Sequence, residues 1–511
     1  MDALIPIFVI LPLAAAFLIP VVGRFVSGYQ RISSTAVFLV LSLLSLYCMF
    51  TREQPSYSYV IGGWEPVSGI PVGIHFTIDG LAVFMLVIIS SIAFFASFYA
   101  ISYIRRYTAE NNFYTLLCLM VGGMNGVVMT GDLFNLFVFL EIAVISSYAL
   151  VAFGTGKNEL EASFKYQVLG GMASMLILFG TGMVYWKTKT LNMADAAYVL
   201  AGAKQDHYLI FTQLVFMAGF GLKAALMPFH AWLPDAHSSA PSPISAMLSG
   251  VLIKAVGIYV IMRLFFNMFA LSPQISVVII VLGTVSMVLG VFLAVGQWDI
   301  KRLLAYHSIS QMGYVIIGVG MGMLILSRDG PRTVAALSIA GGLFHLVNHA
   351  VFKGLLFLNA GAIEYETGTR NLKEMGGLSE QMPVTYSTSL GASMAISGIP
   401  PFNGFFSKLF IILAAIAGHF YLIACLAILV SIITLASFLK FQKFSFFNKR
   451  REGGKRMIRE VPFYMCFSMV ALALLCIVLS LLAFPGIREQ VISPAVDALM
   501  NLTPYEAMKI N

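Results

Sequence analysis

The sequence predicts an all-α, polytopic membrane protein with about fourteen transmembrane helices in a single membrane domain, residues 1–511. Composition, span length and two proline-rich interruptions carry this reading. Of the 511 residues, 59% are hydrophobic and 11% are charged, and mean hydropathy is +0.89. A water-soluble domain keeps far more charge on its surface, so lipid is the solvent for most of the chain. Runs of roughly 20 apolar residues, the length that crosses a bilayer, recur from end to end.

The runs fall near 3–22, 32–51, 81–104, 113–130, 133–153, 166–186, 208–227, 243–262, 275–295, 303–325, 333–358, 386–416, 419–440 and 463–484. The first is read as a membrane helix and not a signal peptide, since it lacks a basic leader and a clear cleavage site. Two runs are interrupted. The seventh continues into MPFHAWLPDAHSSAPSP, where Pro228, Pro234, Pro241 and Pro243 cannot extend a regular helix. The twelfth contains SGIPPFNGFFSK, with Gly398, Pro400, Pro401 and Gly404 in its middle. Irregular backbone at membrane depth is tolerated where protein or a wet cavity surrounds it. Two such breaks five spans apart imply an internal repeat. The expected organisation is three N-terminal helices (1–104), a first five-helix repeat (113–262), a second (275–440) and a last helix (463–484).

The net charge of +8 and pI near 9.1 do not indicate nucleic acid, because the basic residues sit mainly in short loops between apolar runs. If both termini face outward, the inside loops hold roughly twice as many Lys and Arg as the outside ones, including the cluster from Lys440 to Arg459. Both termini are therefore expected outside. The five cysteines (Cys48, Cys118, Cys425, Cys466, Cys476) are scattered and form no CxxC, which argues against iron–sulfur ligation or a disulfide framework. Any redox cofactor is expected on another subunit.

Four lysines lie in apolar runs: Lys223, Lys254, Lys353 and Lys408. A charge at the bilayer centre costs at least about 2.5 kcal/mol. A lysine near a helix end can snorkel to the interface, an alternative open to Lys353 and Lys408, but Lys254 is more than ten residues past the start of its span. Apolar surroundings disfavour an ammonium and a nearby carboxylate restores it. A lysine held between those influences exchanges protons as its neighbours change, as a relay requires. The obvious carboxylate is Glu141, deep in the fifth span and expected to pair with Lys223 or another buried lysine; a protonated carboxyl, or one bonded to local hydroxyls such as Ser146 or Ser147, is the alternative. Asp132 opens the same helix, where a carboxylate also suits the helix dipole.

His345, His349 and Lys353 recur at i, i+4 and i+8 on one face of the eleventh span. Histidine changes charge near neutral pH, so three aligned titratable groups read as a hydrated proton path. A metal site is disfavoured, since no HExxH motif or matching carboxylate accompanies the histidines. His230, Asp235 and His237 in the broken seventh segment, with His307 in the tenth span and Asp132, are candidates for half-channels to the surfaces. They could equally tie loops together. The stretches MVGGMNG and AGGLFH are expected to permit close helix packing.

The motifs TGDLFNLFVFLE, FGLKAALMPFHAWLPDAHSSAPSPISAMLSGVLIKAVGIY, DIKRLLAYHSISQMGY and GIPPFNGFFSK together resemble the antiporter-like subunits shared by Mrp-type sodium/proton antiporters, respiratory complex I and energy-converting membrane-bound hydrogenases. The resemblance implies a fourteen-helix core with two inverted five-helix repeats. It matches Glu141 to the family's fifth-helix glutamate, Lys223 to its seventh-helix lysine partner and Lys254 to the central eighth-helix lysine. His345, His349 and Lys353 fall on the histidine-bearing eleventh helix. Lys408 falls on the broken twelfth, where some relatives carry glutamate.

TGDLFNLFVF and LNMADAA look like the D-type Mrp subunit, whereas PFHAWLPDAHSSAPSP looks more like complex I and hydrogenase subunits. That mixture resembles the large antiporter-like (H-type) subunit of an archaeal membrane-bound hydrogenase or a related sulfur-reducing complex. The chain ends soon after the fourteenth span, so the long lateral helix of the largest complex I homologue is not expected. The resemblance implies translocation of H⁺, Na⁺ or both in the plasma membrane of a bacterium or archaeon. Membrane and redox subunits would be partners, and any nickel–iron centre, iron–sulfur clusters or flavin would reside on them. The rivals are a subunit of a stand-alone Mrp antiporter, a structural scaffold for a redox partner, and a secondary transporter of an organic solute.

Overall fold

Capping side chains mark where the chain enters the bilayer. Asp79 accepts the backbone N–H groups of Leu81 and Ala82 and starts the helix Gly80–Tyr103. Asp132 accepts from Asn135 and starts Leu133–Val151, and Asp299 accepts from Arg302 and starts Ile300–Leu326. Each satisfies N–H groups that a helix start leaves without partners. The computed structural model describes residues 4–63, 73–202, 206–448 and 458–501. Among these, eleven helices are long and apolar enough to cross a membrane, from Tyr29–Thr51 to Phe463–Ala483, with shorter apolar helices Ile7–Val22 and Asn403–Ala417. The protein is a polytopic all-α membrane bundle. Large apolar side chains such as Phe17, Phe164, Met175, Trp186 and Leu422 point outward, as lipid contact requires. Part of the basic cluster, residues 449–457, lies outside the described residues, as do Lys204 and Lys509.

Both interruptions are real breaks. The helix His207–Lys223 stops at Lys223, Ala225 takes a positive φ of 53°, and a short helix Trp232–Ser239 follows. Pro383–Ser397 ends at Gly398, left-handed at φ 78°, and Asn403–Ala417 resumes beyond the prolines. Gly404 is required there, because a Cβ would come 1.8 Å from the Ala395 carbonyl oxygen. The eighth run extends further than hydropathy indicated, as Ser242–Met268, and is buried along its length. It carries π-helical turns at Leu248–Leu252, Lys254–Ile258 and Arg263–Met268, a distortion that frees backbone carbonyls.

One hairpin motif occurs twice. Leu133 N–H bonds to Leu191 O and Met193 N–H to Gly131 O, while Asn192 caps the short amphipathic helix Met193–Ala201. In the same pattern Ile300 N–H bonds to Arg370 O and Leu372 N–H to Trp298 O, with Asn371 capping the turn beyond. The sequences TKTLN (188–192) and TGTRN (367–371) underlie it. In each, the second threonine's hydroxyl accepts the asparagine N–H at 3.2 Å.

The connection before Gly80–Tyr103, where hydropathy gives no helix, forms an antiparallel pair of strands, β1 (Ser56–Val60) and β2 (His75–Asp79). Asp79 also meets Arg263, at the far end of Ser242–Met268, through two hydrogen bonds. One is Arg263 Nη1 to Asp79 Oδ2 at 2.6 Å, and both side chains are 5% exposed or less. Asn267 bonds to Ala498 O, so strand, central helix and C-terminal helix meet at one membrane face. Removing one member of a buried pair strands the other charge. Arg263→Ala is therefore expected to cost about 3–5 kcal/mol, read as early loss of folded protein in detergent melts. Lys187→Ala, which breaks an exposed pair with Asp206, should leave the melt unchanged.

Candidate functional site

The carboxylate of Glu141 projects from Leu133–Val151 toward two neighbouring helices. Its Oε1 lies 3.8 Å from Lys223 Nζ and accepts a hydrogen bond from Ser174 Oγ. Lys223 Nζ donates to Ser174 Oγ at 2.9 Å and to Gly170 O at 3.0 Å, so the serine bridges the two charges. Lys223 is buried and the Glu141 side chain is 26% exposed. Ser146 and Ser147 bond elsewhere, to Ile142 O and Val144 O.

Ala224, one residue past Lys223, touches the central helix at Gly257, where a Cβ would approach within 2.7 Å. Three residues earlier, Lys254 is fully buried. Its Nζ donates to Ser249 O at 2.7 Å and Gly250 O at 2.6 Å, carbonyls of the adjoining π-helical turn. Around it lie His345, His349 and Lys353, all within electrostatic reach. These three occupy one stripe of Arg332–Thr367, and each is 0% exposed. Lys353 does not snorkel: its Nζ donates to Leu304 O at 2.6 Å. His345 contacts Ser407 Oγ at 3.0 Å and Gln311 Oε1 at 3.1 Å.

Beyond His345 the Tyr314 ring lies 5.4 Å away, and Lys408 Nζ sits 5.1 Å over that ring. Lys408 is buried too, bonded to Ile396 O at 2.8 Å and Ser431 Oγ at 3.1 Å beside the second break. His307 contacts Ser437 Oγ at 2.8 Å. Buried polar atoms without a protein partner gather along this line: both nitrogens of His349, His307 Nδ1, Gln311 Nε2, Asn348 Oδ1 and both amide atoms of Asn403. Polar interiors of that kind hold water. His230 is half-buried at the first break, its ring 6.5 Å from Tyr306. No cluster suited to a metal ion occurs among the described residues.

Asp132 lies apart from this line. It sits at the opposite end of its helix from the Lys157–Thr188 start, within reach of the buried His75, which also reaches Asp195. Burial pushes both carboxyls up, for Asp132 against the pull of the Asn135 and Phe134 N–H groups. Asp235 faces a polar cavity of about 460 Å³ at the other membrane face, paired with Arg302 at 2.7 Å and Lys165 at 3.1 Å.

Sequence reading missed four charged residues. Lys301 and Arg263 counted only as loop charges, yet both are buried and paired, Lys301 with Glu364 at 3.3 Å and Arg263 with Asp79. Hydropathy marks where a span starts but not whether its first turn is covered by another loop. A lysine two residues past the capping Asp299 was the available signal. Ser174, the bridge between Glu141 and Lys223, carried none.

Comparison with known proteins fits this arrangement. Residues 130–434 match the family described as NADH:quinone oxidoreductase/Mrp antiporter, TM, and residues 64–114 match the N-terminus of NADH-ubiquinone oxidoreductase (complex I) chain 5. The chain is 34% identical to the D-type subunit of the Na⁺/H⁺ antiporter of Alkalihalophilus pseudofirmus, covering 96% of this chain and 98% of that one. It is 33% identical to the N-type subunit of the NADH-quinone oxidoreductase of Desulforudis audaxviator, covering 90% and 88%. Its fold matches a chain of the Mrp complex from a Dietzia species (TM-score 0.88, 25% identity, 100% and 99% covered). It also matches a chain of the membrane-bound sulfane sulfur reductase, an archaeal respiratory membrane complex (TM-score 0.86, 28% identity, 100% and 99% covered). With its buried lysines strung between two broken helices, the chain belongs to the NADH:quinone oxidoreductase/Mrp antiporter family, as one of its antiporter-like membrane subunits.

Proposed function

We propose that this subunit translocates protons, sodium ions or both across a bacterial or archaeal plasma membrane within a redox-driven complex. The observation that carries the reading is the line of buried titratable groups running from Glu141–Lys223 through Lys254, His349 and His345 to Lys408. A proton is loaded on Lys254 from the inner face through the region of the first break. Opening or closing of the Glu141–Lys223 pair changes the field at Lys254, and the proton passes by water and the two histidines to Lys408 for release outside. The Glu141–Lys223 pair itself, at 3.8 Å, is worth about 4 kcal/mol at an effective dielectric near 20, enough for its opening to change the proton affinity of Lys223 without large backbone motion. Lys353, His307, His237, Asp235 and His230 serve the approaches to this line, and Asp132 faces the outer side.

The eleven long helices, with Ile7–Val22, His207–Lys223 and the split pair Pro383–Ser397 and Asn403–Ala417, are consistent with fourteen crossings and both termini outside. The doubled hairpin motif supports two repeats. The resemblance to the sulfane sulfur reductase chain favours a sulfur-reducing or hydrogenase complex, with a nickel–iron centre, iron–sulfur clusters or flavin on partner subunits. The 34% identity to a D-type antiporter subunit favours a second reading, a Mrp antiporter without redox partners. Co-purification separates them: a metal- or flavin-bearing subunit supports the first, and a complex of membrane subunits alone supports the second.

Assembled complexes carrying Glu141→Ala or Lys223→Ala should lose at least about tenfold in ion transport, measured in vesicles; normal transport in both would remove the reading. Ser174→Ala should give a milder loss, about threefold, by removing one bond to the charged pair. A high-resolution map of the complex should reveal ordered waters beside His349 and Asn403, and dry density there would argue against a hydrated path.

A further inference from the structure

Four basic side chains from three elements converge on the short helix Trp232–Ser239 that fills the first break. Arg302 and Lys165 bind the two oxygens of Asp235, at 2.7 and 3.1 Å. Arg370 donates to Ser238 O, and Lys301 donates to Ala240 O at 3.0 Å while paired with Glu364. One side of this helix, at Asp235, Ser238 and Ser239, lines the polar cavity of about 460 Å³ together with Glu161, Asp299 and Arg302. On its other side His237 is fully buried, packed between Trp232 and Phe357 and within reach of Lys353 and Lys254. The same helix is tied to the axis, since Trp232 Nε1 donates to Leu222 O, one residue before Lys223.

We propose that Lys301 and Arg302 are positioning residues that clamp this helix as a gate between the polar cavity and His237, and that the structure holds the gate closed. The inference rests on the translocation reading but assigns a task to residues off the buried line. The clamp is graded. Lys301–Glu364 is buried on the lysine side, whereas the Arg302 and Lys165 side chains are 40% and 48% exposed, so solvent weakens their hold on Asp235. The Asp235 end therefore releases first, swinging the cavity side of the helix while Lys301 keeps Ala240 as the hinge.

The test uses the assembled complex in membrane vesicles, with a membrane-impermeant maleimide applied at the cavity face. Ser239→Cys should be labelled and Ala236→Cys, buried behind the clamp, should be protected. Adding Arg302→Gln should speed labelling of Ala236→Cys by about tenfold and raise passive ion leak while lowering coupled pumping; Arg302→Lys should restore both. The native Cys118 and Cys476, fully buried elsewhere in the bundle, should stay unlabelled throughout. Unchanged protection and leak in Arg302→Gln would overturn the clamp, as would labelling of Cys118 and Cys476 together with Ala236→Cys, which signals general loosening. Adding Glu141→Ala to the leaky variant separates the two ideas: leak abolished supports both, and leak that persists overturns the shared path while the translocation reading is judged on the single Glu141 and Lys223 variants.

Discussion

An ammonium group buried in an apolar bundle needs oxygen acceptors, and here the backbone supplies them. Lys223 bonds to Gly170 O, Lys254 to Ser249 and Gly250 O, Lys353 to Leu304 O, Lys408 to Ile396 O and Lys301 to Ala240 O. A regular helix spends its carbonyls on its own ladder, so acceptors become available where the ladder is disturbed. Three of the five lysines draw on such acceptors: Lys254 on a π-helical turn, Lys408 on the end of Pro383–Ser397 at the second break and Lys301 on the residue that ends Trp232–Ser239. For these three the irregular backbone and the buried amine account for each other, whereas Lys223 and Lys353 share carbonyls of regular helices.

Holding these disturbances in place requires regular structure around them. Gly404 lets its helix pass over the Ala395 carbonyl, and Gly318 and Gly342 bring the backbones of Ile300–Leu326 and Arg332–Thr367 to about van der Waals contact. Those two helices carry most of the polar atoms along the line, yet they are buried almost throughout, which keeps lipid from the groups between them. The twice-used hairpin motif fixes the ends of two helix pairs by backbone bonds and threonine and asparagine side chains, independent of the charges inside.

Much of this was legible in advance for one physical reason: apolar runs and their interruptions are local signals. The lysines were conspicuous because a charge in an apolar run is costly, and Glu141 stood out as the deep carboxylate of the early spans; the residues alone left its partner open among the buried lysines, and the family resemblance singled out Lys223. The missed features are those in which a residue's surroundings come from distant sequence. Lys301 looked like an ordinary interfacial charge because nothing in DIKRLL reveals that Ala240 and Glu364 cover it. His75 gave no signal because its neighbours, Asp132 at the start of Leu133–Val151 and Asp195 in Met193–Ala201, are distant in sequence. Hydropathy also understated Ser242–Met268, since Arg263 ends the apolar run and its buried partner Asp79 is distant in sequence.

The distribution of counter-charge bears directly on how a line of lysines could respond to its ends. Carboxylates pair with Lys223 at one end and with Lys301 beside the cavity, but among the described residues none pairs with Lys254, Lys353 or Lys408. Carbonyl dipoles can stabilise one ammonium, but they do not cancel its field at the next. A charge on Lys254 is consequently felt at Lys353 across a low-dielectric interior, where attenuation is weak. An unneutralised middle flanked by a neutralised end is the arrangement in which moving a single charge at that end alters proton occupancy further along. Ion pairs at every lysine would instead give each a fixed protonation state, insensitive to the others.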